Sequence, residues 1–473
     1  MKSDKLQDAI GMVNADLVER TEKSKTKHPK FKWTAAVAAM LAIAIGIGAY
    51  LGNSSPFAVK AYALAEAEYP TMAGYPTGEM LPGFDDRYAA WREDQKKQRA
   101  YRGAGENLDG FFAATVSEFL GGANSENRVY SPLNVYMALA MLAVITDGES
   151  RAQILDLLDA DSIETLRTQA HSVWNANYSD DGAVTSILAS SLWLNEDVAF
   201  KQEALDTLAK NYYASSYRGE MGSNELNRAL QAWMNKQTGG LLKEYISGIE
   251  LTPNTVMSLV TTIYFQAKWG TEFSRSQTVD KTFHAASGDV PCKFMQQTIT
   301  YGSYYWGEHF SAVNKSLKNS GSMWFILPDE GFSIQELLTD SEALAFLSSN
   351  GDWENCKSLK VNLSVPKFDV KSKLDLQTGL KNLGVTDCFD ADTADFTPLV
   401  TKEQPLWLSN VEHGARVVID EEGVAAAAYT EMRLAGAAMP PEEEIDFVVD
   451  RPFLFVITGS DGLPLFVGVV NQP

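Results

Sequence analysis

Only three cysteines, Cys292, Cys356 and Cys388, occur in 473 residues, and none falls in a C-x-x-C pair. That excludes a disulfide framework and a cysteine-ligated zinc site. It leaves one disulfide with a spare thiol or, as the expected case, three buried free thiols. Histidine is almost as scarce: His28, His171, His284, His309 and His413 are the whole set, and no H-E-x-x-H joins two of them. A nucleophile elbow and a phosphate-cradling glycine loop are also missing, so the usual local signatures of an enzyme are absent and no metal or cofactor is implied. Positive charge is in deficit too. The 40 Lys and Arg face 61 Asp and Glu, a net charge of -21, which suits a solvated acidic surface and not a nucleic-acid contact. The sequence shows no internal repeat and no long low-complexity segment.

What is present is a globular composition, 45% hydrophobic and 11% aromatic, enough for one large core plus appendages. Residues 34–52, TAAVAAMLAIAIGIGAYLG, run without a charge, close to the ~20 residues that cross a bilayer as a helix. Lys23, Lys25, Lys27, Lys30 and Lys32 precede the run, with Trp33 at its edge. The positive-inside rule then expects residues 1–33 in the cytoplasm, 34–52 as a single transmembrane anchor, and the remainder exported. The other reading is a secreted protein, released by signal cleavage near Ala63–Ala67, where A-x-A matches begin at Ala61. Within 1–33, Leu6, Ile10, Val13 and Leu17 stand at helical spacing. Residues 53–107, rich in Pro, Gly, Ala and Tyr and ending in a polar helix around Asp86–Tyr101, read as an extracytoplasmic stalk.

From Leu108 onward the pattern is that of an α+β domain, residues 108–473. LDGFFAATVSEFL, LNVYMALAMLAVI and ESRAQILDLL have helical apolar spacing, the last with Ser150 as its N-cap. ILASSLWL, NTVMSLVTTIYFQ, SMWFILP and LKVNLSVPKFDV read as strands, and IDFVVDRPFLFVITGSDGLPLFVGVV as two apolar strands in a hairpin about its Gly-Ser-Asp-Gly turn.

One segment resists a local assignment. Alanine is the best helix former, so Ala425, Ala426, Ala427 and Ala428 point to a short helix. Taken alternately, however, Val424, Ala426, Ala428, Thr430, Met432 and Leu434 form an apolar or small face. The other face, with Tyr429, Glu431 and Arg433, is polar, as in a half-buried strand. Gly423 gives freedom to turn at one end, and Pro440-Pro441 ends any ladder at the other.

In chain order, NRVYSPLNVYMALAML, LQAWMNKQTGGLLKEYI, LVTTIYFQAKWGTEF, CKFMQQ, SMWFILP, VPKFDV, VIDEEGVAAAA and DRPFLFVI resemble the signature segments of the serpins, suicide-substrate inhibitors of serine proteases. The resemblance covers Leu108–Pro473. It implies helices packed on a large central β-sheet, two further sheets and an exposed reactive-centre loop. By similarity, Glu421, Glu422 and Gly423 form the hinge, and Val424 to Ala428 begin the segment that inserts. Family spacing places the cut between Ala437 and Ala438, with Leu434, Ala435, Gly436 and Met439 as the specificity flank. Small residues there suit an elastase- or subtilisin-like protease, whereas a cut at Arg433 would shorten the insert.

The implied partner is therefore a serine protease held as a covalent acyl complex, and the inhibitor is a monomer, not an enzyme. The family's sheet-opening region usually pairs a histidine with an asparagine on the central strand. In this chain Ser131, His413 and Trp269 match, but Thr261 stands at the strand position and Asn134 at a serine position. Asn134 is expected to supply the amide that His413 needs, with Thr261 adding a hydroxyl. The competing implication is a non-inhibitory serpin that acts as a surface binding or chaperone-like protein.

Overall fold

The computed structural model describes residues 59–473 apart from 61, 78–80, 106, 123–124, 247, 403 and 425–440. Along the chain, β1 (Ala63–Ala65) is followed by α1 (Phe84–Arg99), α2 (Asp109–Leu120), β2 (Arg128–Tyr130), α3 (Pro132–Ile145), α4 (Gly148–Leu157) and α5 (Ile163–Asn177). Next come β3 (Ser179–Asp180), β4 (Val184–Asn195), α6 (Gln202–Asn211), β5 (Ala214–Gly219), α7 (Asn224–Gln237) and α8 (Lys243–Ile246). The middle of the chain holds β6 (Met257–Lys268), β7 (Val279–Ala285), β8 (Gly288–Trp306), β9 (Phe310–Ser316), β10 (Ser322–Pro328), α9 (Ile334–Leu337) and α10 (Ser341–Ser348). It ends with β11 (Cys356–Pro366), β12 (Phe368–Asp375), α11 (Gln377–Asn382), β13 (Asn410–Ile419), β14 (Gly423–Val424), β15 (Glu444–Val448), β16 (Phe453–Thr458) and β17 (Pro464–Val470).

The main sheet has the order β1-β5-β4-β6-β14-β13-β12, with β3 hanging on β4. Behind it runs α3, whose residues are apolar almost all round and, apart from Val144, all buried, as a helix at the centre of a core must be. Ser131 caps its N-terminus by accepting from the Asn134 N–H at 3.2 Å, and Pro132 occupies the first turn, where no N–H is needed. On the opposite face, Leu226, Leu230, Trp233 and Met234 of α7 pack with Trp193, Tyr217 and Val260 of the sheet in a smaller core.

The second sheet runs β15-β11-β8-β9-β10-β16-β17-β2, with β7 on β8. The two further sheets expected from the sequence are thus one continuous sheet, because β8 pairs with β7 and β11 and then with β9. Its ladder with β11 slips at a bulge between Leu359 and Val361. Gly302 lies there because a Cβ would meet the Val361 side chain at 2.5 Å. The hairpin expected near the C-terminus is β16–β17, antiparallel from Phe453↔Val470 to Thr458↔Pro464. LKVNLSVPKFDV, in contrast, is split at Lys367, so that β11 belongs to the second sheet and β12 to the main one.

Other expectations are corrected. Asp147, not Ser150, caps α4, accepting from Gly148 N–H at 3.0 Å; the Ser150 hydroxyl instead accepts from Asp395 N–H at 3.1 Å. All three cysteines are free, but only Cys388 is buried; Cys292 is half-buried and Cys356 exposed.

The stalk is the largest correction. Over its described residues the 53–107 segment packs on the domain. β1 adds to the margin of the main sheet through Ala63↔Tyr217 and Ala65↔Ser216. Tyr69 stacks on Trp174 with ring centres 5.7 Å apart. Tyr75 N–H donates to the Asp181 carbonyl at 2.7 Å, and Trp91 Nε1 to the Asp181 carboxylate at 2.8 Å. The aromatic residues of this segment therefore have partners to bury against, which a free linker lacks. Among the described residues no helix is long and apolar enough to cross a membrane. The expected span 34–52 and the helical spacing over 6–17 lie outside the described residues.

Candidate functional site

β6 and β13 run parallel, paired from Ser258↔Asn410 to Thr262↔Gly414. Above that ladder β14 lies between them, antiparallel to both, with Val424 opposite Ala267 and Ile419. From Ile263 to Gln266 on β6 and from Ala415 to Val418 on β13, no pairing joins the two strands among the described residues. The main sheet is thus joined at the bottom, parted above, and holds the first two residues of an additional strand at the top.

A tight turn starts that strand. The Asp420 carboxylate accepts from the N–H groups of Glu422 at 2.8 Å and Gly423 at 3.1 Å, and Asp420 N–H donates to the Gly423 carbonyl at 3.0 Å. Such an Asx turn reverses the chain over four residues. Gly423 is required here by close approach and not by turn freedom: its φ is not positive, and a Cβ would lie 2.3 Å from the Ala267 carbonyl oxygen. Val424 is 1% exposed, so the first residue of the alternating face is already inside the sheet.

The turn is held from three sides. Trp269 Nε1 donates to the Asp420 carbonyl at 2.8 Å, Trp269 N–H to Glu422 O at 3.1 Å, and Phe273 N–H to Glu421 O at 2.9 Å. Glu421 is buried, its two oxygens taken by Lys367 Nζ at 2.7 Å and Thr278 Oγ1 at 2.8 Å. Burial pushes its carboxyl upward, but the bonds from Lys367 and Thr278 outweigh that and hold it below the usual range. Glu422 pairs with Arg275. Beneath Trp269 lies Lys315, 4% exposed, its ammonium 5.5 Å from the indole centre and 4.4 Å from the Phe273 ring. It donates to Thr271 O at 2.7 Å and to the Gln297 side chain, and burial lowers its pKa to about 7.

Lower in the sheet, the ring of His413 spans β6 and α3. Ser131 N–H donates to Nε2 at 3.0 Å, so Nε2 is the unprotonated nitrogen and Nδ1 carries the hydrogen that Thr261 Oγ1 accepts at 2.9 Å. The ring is fully buried, and desolvation lowers its pKa to about 3, so it is neutral at ordinary pH. Asn134 is not the partner of His413 in this arrangement. Its side chain is 0% exposed and both amide atoms lack any hydrogen-bond partner.

The far end of the loop is tied down by β15, parallel to β11. Glu444 meets Lys360 at 2.9 Å and Asn362 at 2.6 Å, and Glu443 pairs with Lys357, which gives the glutamate run after Pro441 a structural use. Between the two ends, Ala425, Ala426, Ala427 and Ala428, the flank Leu434, Ala435, Gly436 and Met439, and the bond Ala437–Ala438 lie outside the described residues. Sequence reasoning singled out Trp269, Glu421, Gly423 and Val424, which converge here. It missed Asp420, although an Asp at the head of a turn is a readable signal, and it missed Lys315 and Lys367, which look like ordinary strand-end lysines.

Comparison with known proteins agrees with this geometry. Residues 108–473 match the family described as Serpin (serine protease inhibitor). The leukocyte elastase inhibitor of Sus scrofa is 30% identical over 374 residues, 76% of this chain and 97% of that protein. Serpin-ZX of Arabidopsis thaliana is 29% identical over 389 residues, 78% of this chain and 96% of its own. Among solved structures, the thermophilic serpin tengpin in its native state superimposes with a TM-score of 0.68 at 26% identity, covering 78% of this chain and 95% of that one. The chain belongs to the serpin family.

Proposed function

We propose that this serpin is an irreversible suicide-substrate inhibitor of a serine protease with a shallow, small-residue pocket, of elastase or subtilisin type. The observation that carries the reading is the parted upper half of the main sheet with Gly423 and Val424 already seated between β6 and β13. The protease serine attacks the Ala437 carbonyl, the amine of Ala438 leaves, and an acyl-enzyme forms. Freed at the cut, the residues after Val424 extend β14 down the cleft. One parallel ladder, β6–β13, is exchanged for two antiparallel ones, which pair slightly better per residue. The travelling strand carries the bound protease with it, and distortion of the protease active site stops hydrolysis of the ester. The leukocyte elastase inhibitor among the relatives supports the class of target.

The proposed setting is extracytoplasmic. Residues 34–52 cross the membrane and 1–33 stay in the cytoplasm. The test is incubation of the full chain with elastase-, subtilisin- and trypsin-like proteases. An SDS-stable complex is expected with one of the first two, together with a new N-terminus at Ala438. Clean cleavage by all three with no complex would overturn the reading.

A further inference from the structure

β8 and β9 leave an opening between them in the second sheet. They pair only at Tyr304↔Val313, Tyr305↔Ala312 and Trp306↔Ser311, and then part. Residues 297–303 of β8 and 314–316 of β9 consequently face each other across a wedge of about 600 Å³. At the end away from the paired residues the loop after β6 crosses over, Gly270 N–H donating to the Ser316 carbonyl at 2.8 Å and Thr271 contributing to the wall.

One charged side chain lines this wedge, Lys315, and no acidic one does among the described residues. In a chain of net charge -21 that is an unusual place. Lys315 is 4% exposed, and its ammonium donates to Thr271 O at 2.7 Å and to Gln297 Oε1. The third N–H has no oxygen acceptor among the described residues, and the Phe273 ring lies 4.4 Å away. The neighbouring carboxylates are engaged elsewhere: Glu272 with Lys268 at 3.4 Å, Glu421 with Lys367 at 2.7 Å, and Glu422 with Arg275. An ammonium kept out of water without a carboxylate is costly, and an aromatic face offsets only part of that cost. An oxyanion arriving from solvent would supply the missing partner through charge-assisted hydrogen bonds, strongest where water is excluded.

The remaining walls indicate what carries the oxyanion. Thr271, Thr300, Asn314 and Ser316 bring hydroxyl and amide groups, and the exposed Tyr301 offers a ring face. The volume is far more than a bare inorganic anion fills and falls in the range of small-molecule sites, ~300–1,000 Å³. A lining this polar suits a hydroxylated body and not an apolar one.

We propose that the wedge between β8 and β9 binds a small hydroxylated carboxylate of the sugar-acid class. Lys315 and the Thr271 hydroxyl hold its oxyanion, and Thr300, Asn314 and Ser316 its hydroxyl groups. The site is separate from the reactive loop and goes beyond the inhibitory reading without depending on it. Because Lys315 packs on Trp269 and Phe273, which hold the hinge turn, a bound ligand braces the intact fold.

The test is calorimetric titration of the full chain with glucuronate, glucose and inorganic phosphate at pH 6 and pH 8. Glucuronate is expected to bind at pH 6 with a dissociation constant of about 1 mM or below, and glucose and phosphate about 10-fold more weakly. Lys315 gives up its proton near pH 7, so glucuronate should bind about 10-fold more weakly at pH 8 than at pH 6. Lys315→Met removes the charge and keeps the stem. It should weaken glucuronate about 10-fold at pH 6 and erase the difference between the two pH values. Thr300→Val, at the exposed rim, should weaken glucuronate about 3-fold and serves if the methionine variant does not fold. No heat from glucuronate at about 10 mM overturns the inference. So does glucose or phosphate binding as tightly as glucuronate, or Lys315→Met binding it as wild type does. None of these outcomes touches inhibition, which the protease incubation tests by itself.

Discussion

Glu421 and Lys367 meet at 2.7 Å behind the hinge turn, a carboxylate 8% exposed and an ammonium that arrives from the break between β11 and β12. Lys367→Met leaves that carboxylate with Thr278 alone and is expected to destabilise the intact form by about 1–3 kcal/mol, read by denaturant unfolding. The folded carboxyl titrates below its usual value, so its contribution is complete above the unfolded pKa of about 4.3 and fades as pH falls through the folded value. The gap between wild type and Lys367→Met should therefore narrow below pH ~4.

Trp269 holds the same turn through its indole N–H. Trp269→Phe keeps the edge-on packing against Phe273, now at 87° and 5.7 Å between ring centres, but strips the Asp420 carbonyl of its donor. A loss of about 1 kcal/mol and faster spontaneous inactivation on storage are expected. Unchanged residual activity after heating would contradict it.

Val424 is buried between two strands, so a charge there opposes strand entry at its first step. Val424→Glu should still be cut in the loop but should form no SDS-stable complex, and gel analysis of a time course separates the two outcomes.

His413 titrates in acid. With a folded pKa of about 3 against about 6.5 unfolded, the unfolded chain holds the extra proton between those values. Stability therefore rises with pH from about 3 to 6.5 and is lost as pH falls through that window. His413→Gln should flatten this slope in thermal melts taken across the range.

Lys315 gives a second window with the same sign. Its folded pKa is about 7 and the unfolded one about 10.4, so the unfolded chain binds more protons between them and stability climbs as pH rises. In Lys315→Met that alkaline climb should disappear.

Local patterns were enough to read much of this molecule. The C-terminal hairpin, Val424 as an apolar residue at the start of a strand, and Trp269 at the end of a central strand depend on neighbours in sequence, and each has its counterpart in the fold. What could not be read depends on distant partners. Nothing near Asn134 says that Ser131 N–H and Thr261 occupy both nitrogens of His413. The segment before Leu108 has the composition of a linker, and only Trp174, Tyr178 and Tyr213, more than a hundred residues away, give Tyr69 a surface to stack on. Lys315 sits in the alternation of β9 like any strand lysine, and its burial comes from Trp269 and Phe273 folding over it.

A sheet able to take up a strand has a problem of self and stranger, because unpaired backbone at its margins can recruit another molecule's chain as readily as its own. β1 answers this at one margin. Arg218 N–H of β5 donates to the Tyr62 carbonyl at 2.8 Å, and Ala67 N–H meets Ser215 Oγ at 3.1 Å, so the outer side of Ala214–Gly219 is already engaged. The residues ahead of Leu108 thus cover that margin with a strand of the chain's own. They withdraw that margin as a template for foreign strands and leave backbone pairing on offer in the cleft beside Val424, where the molecule's own loop begins.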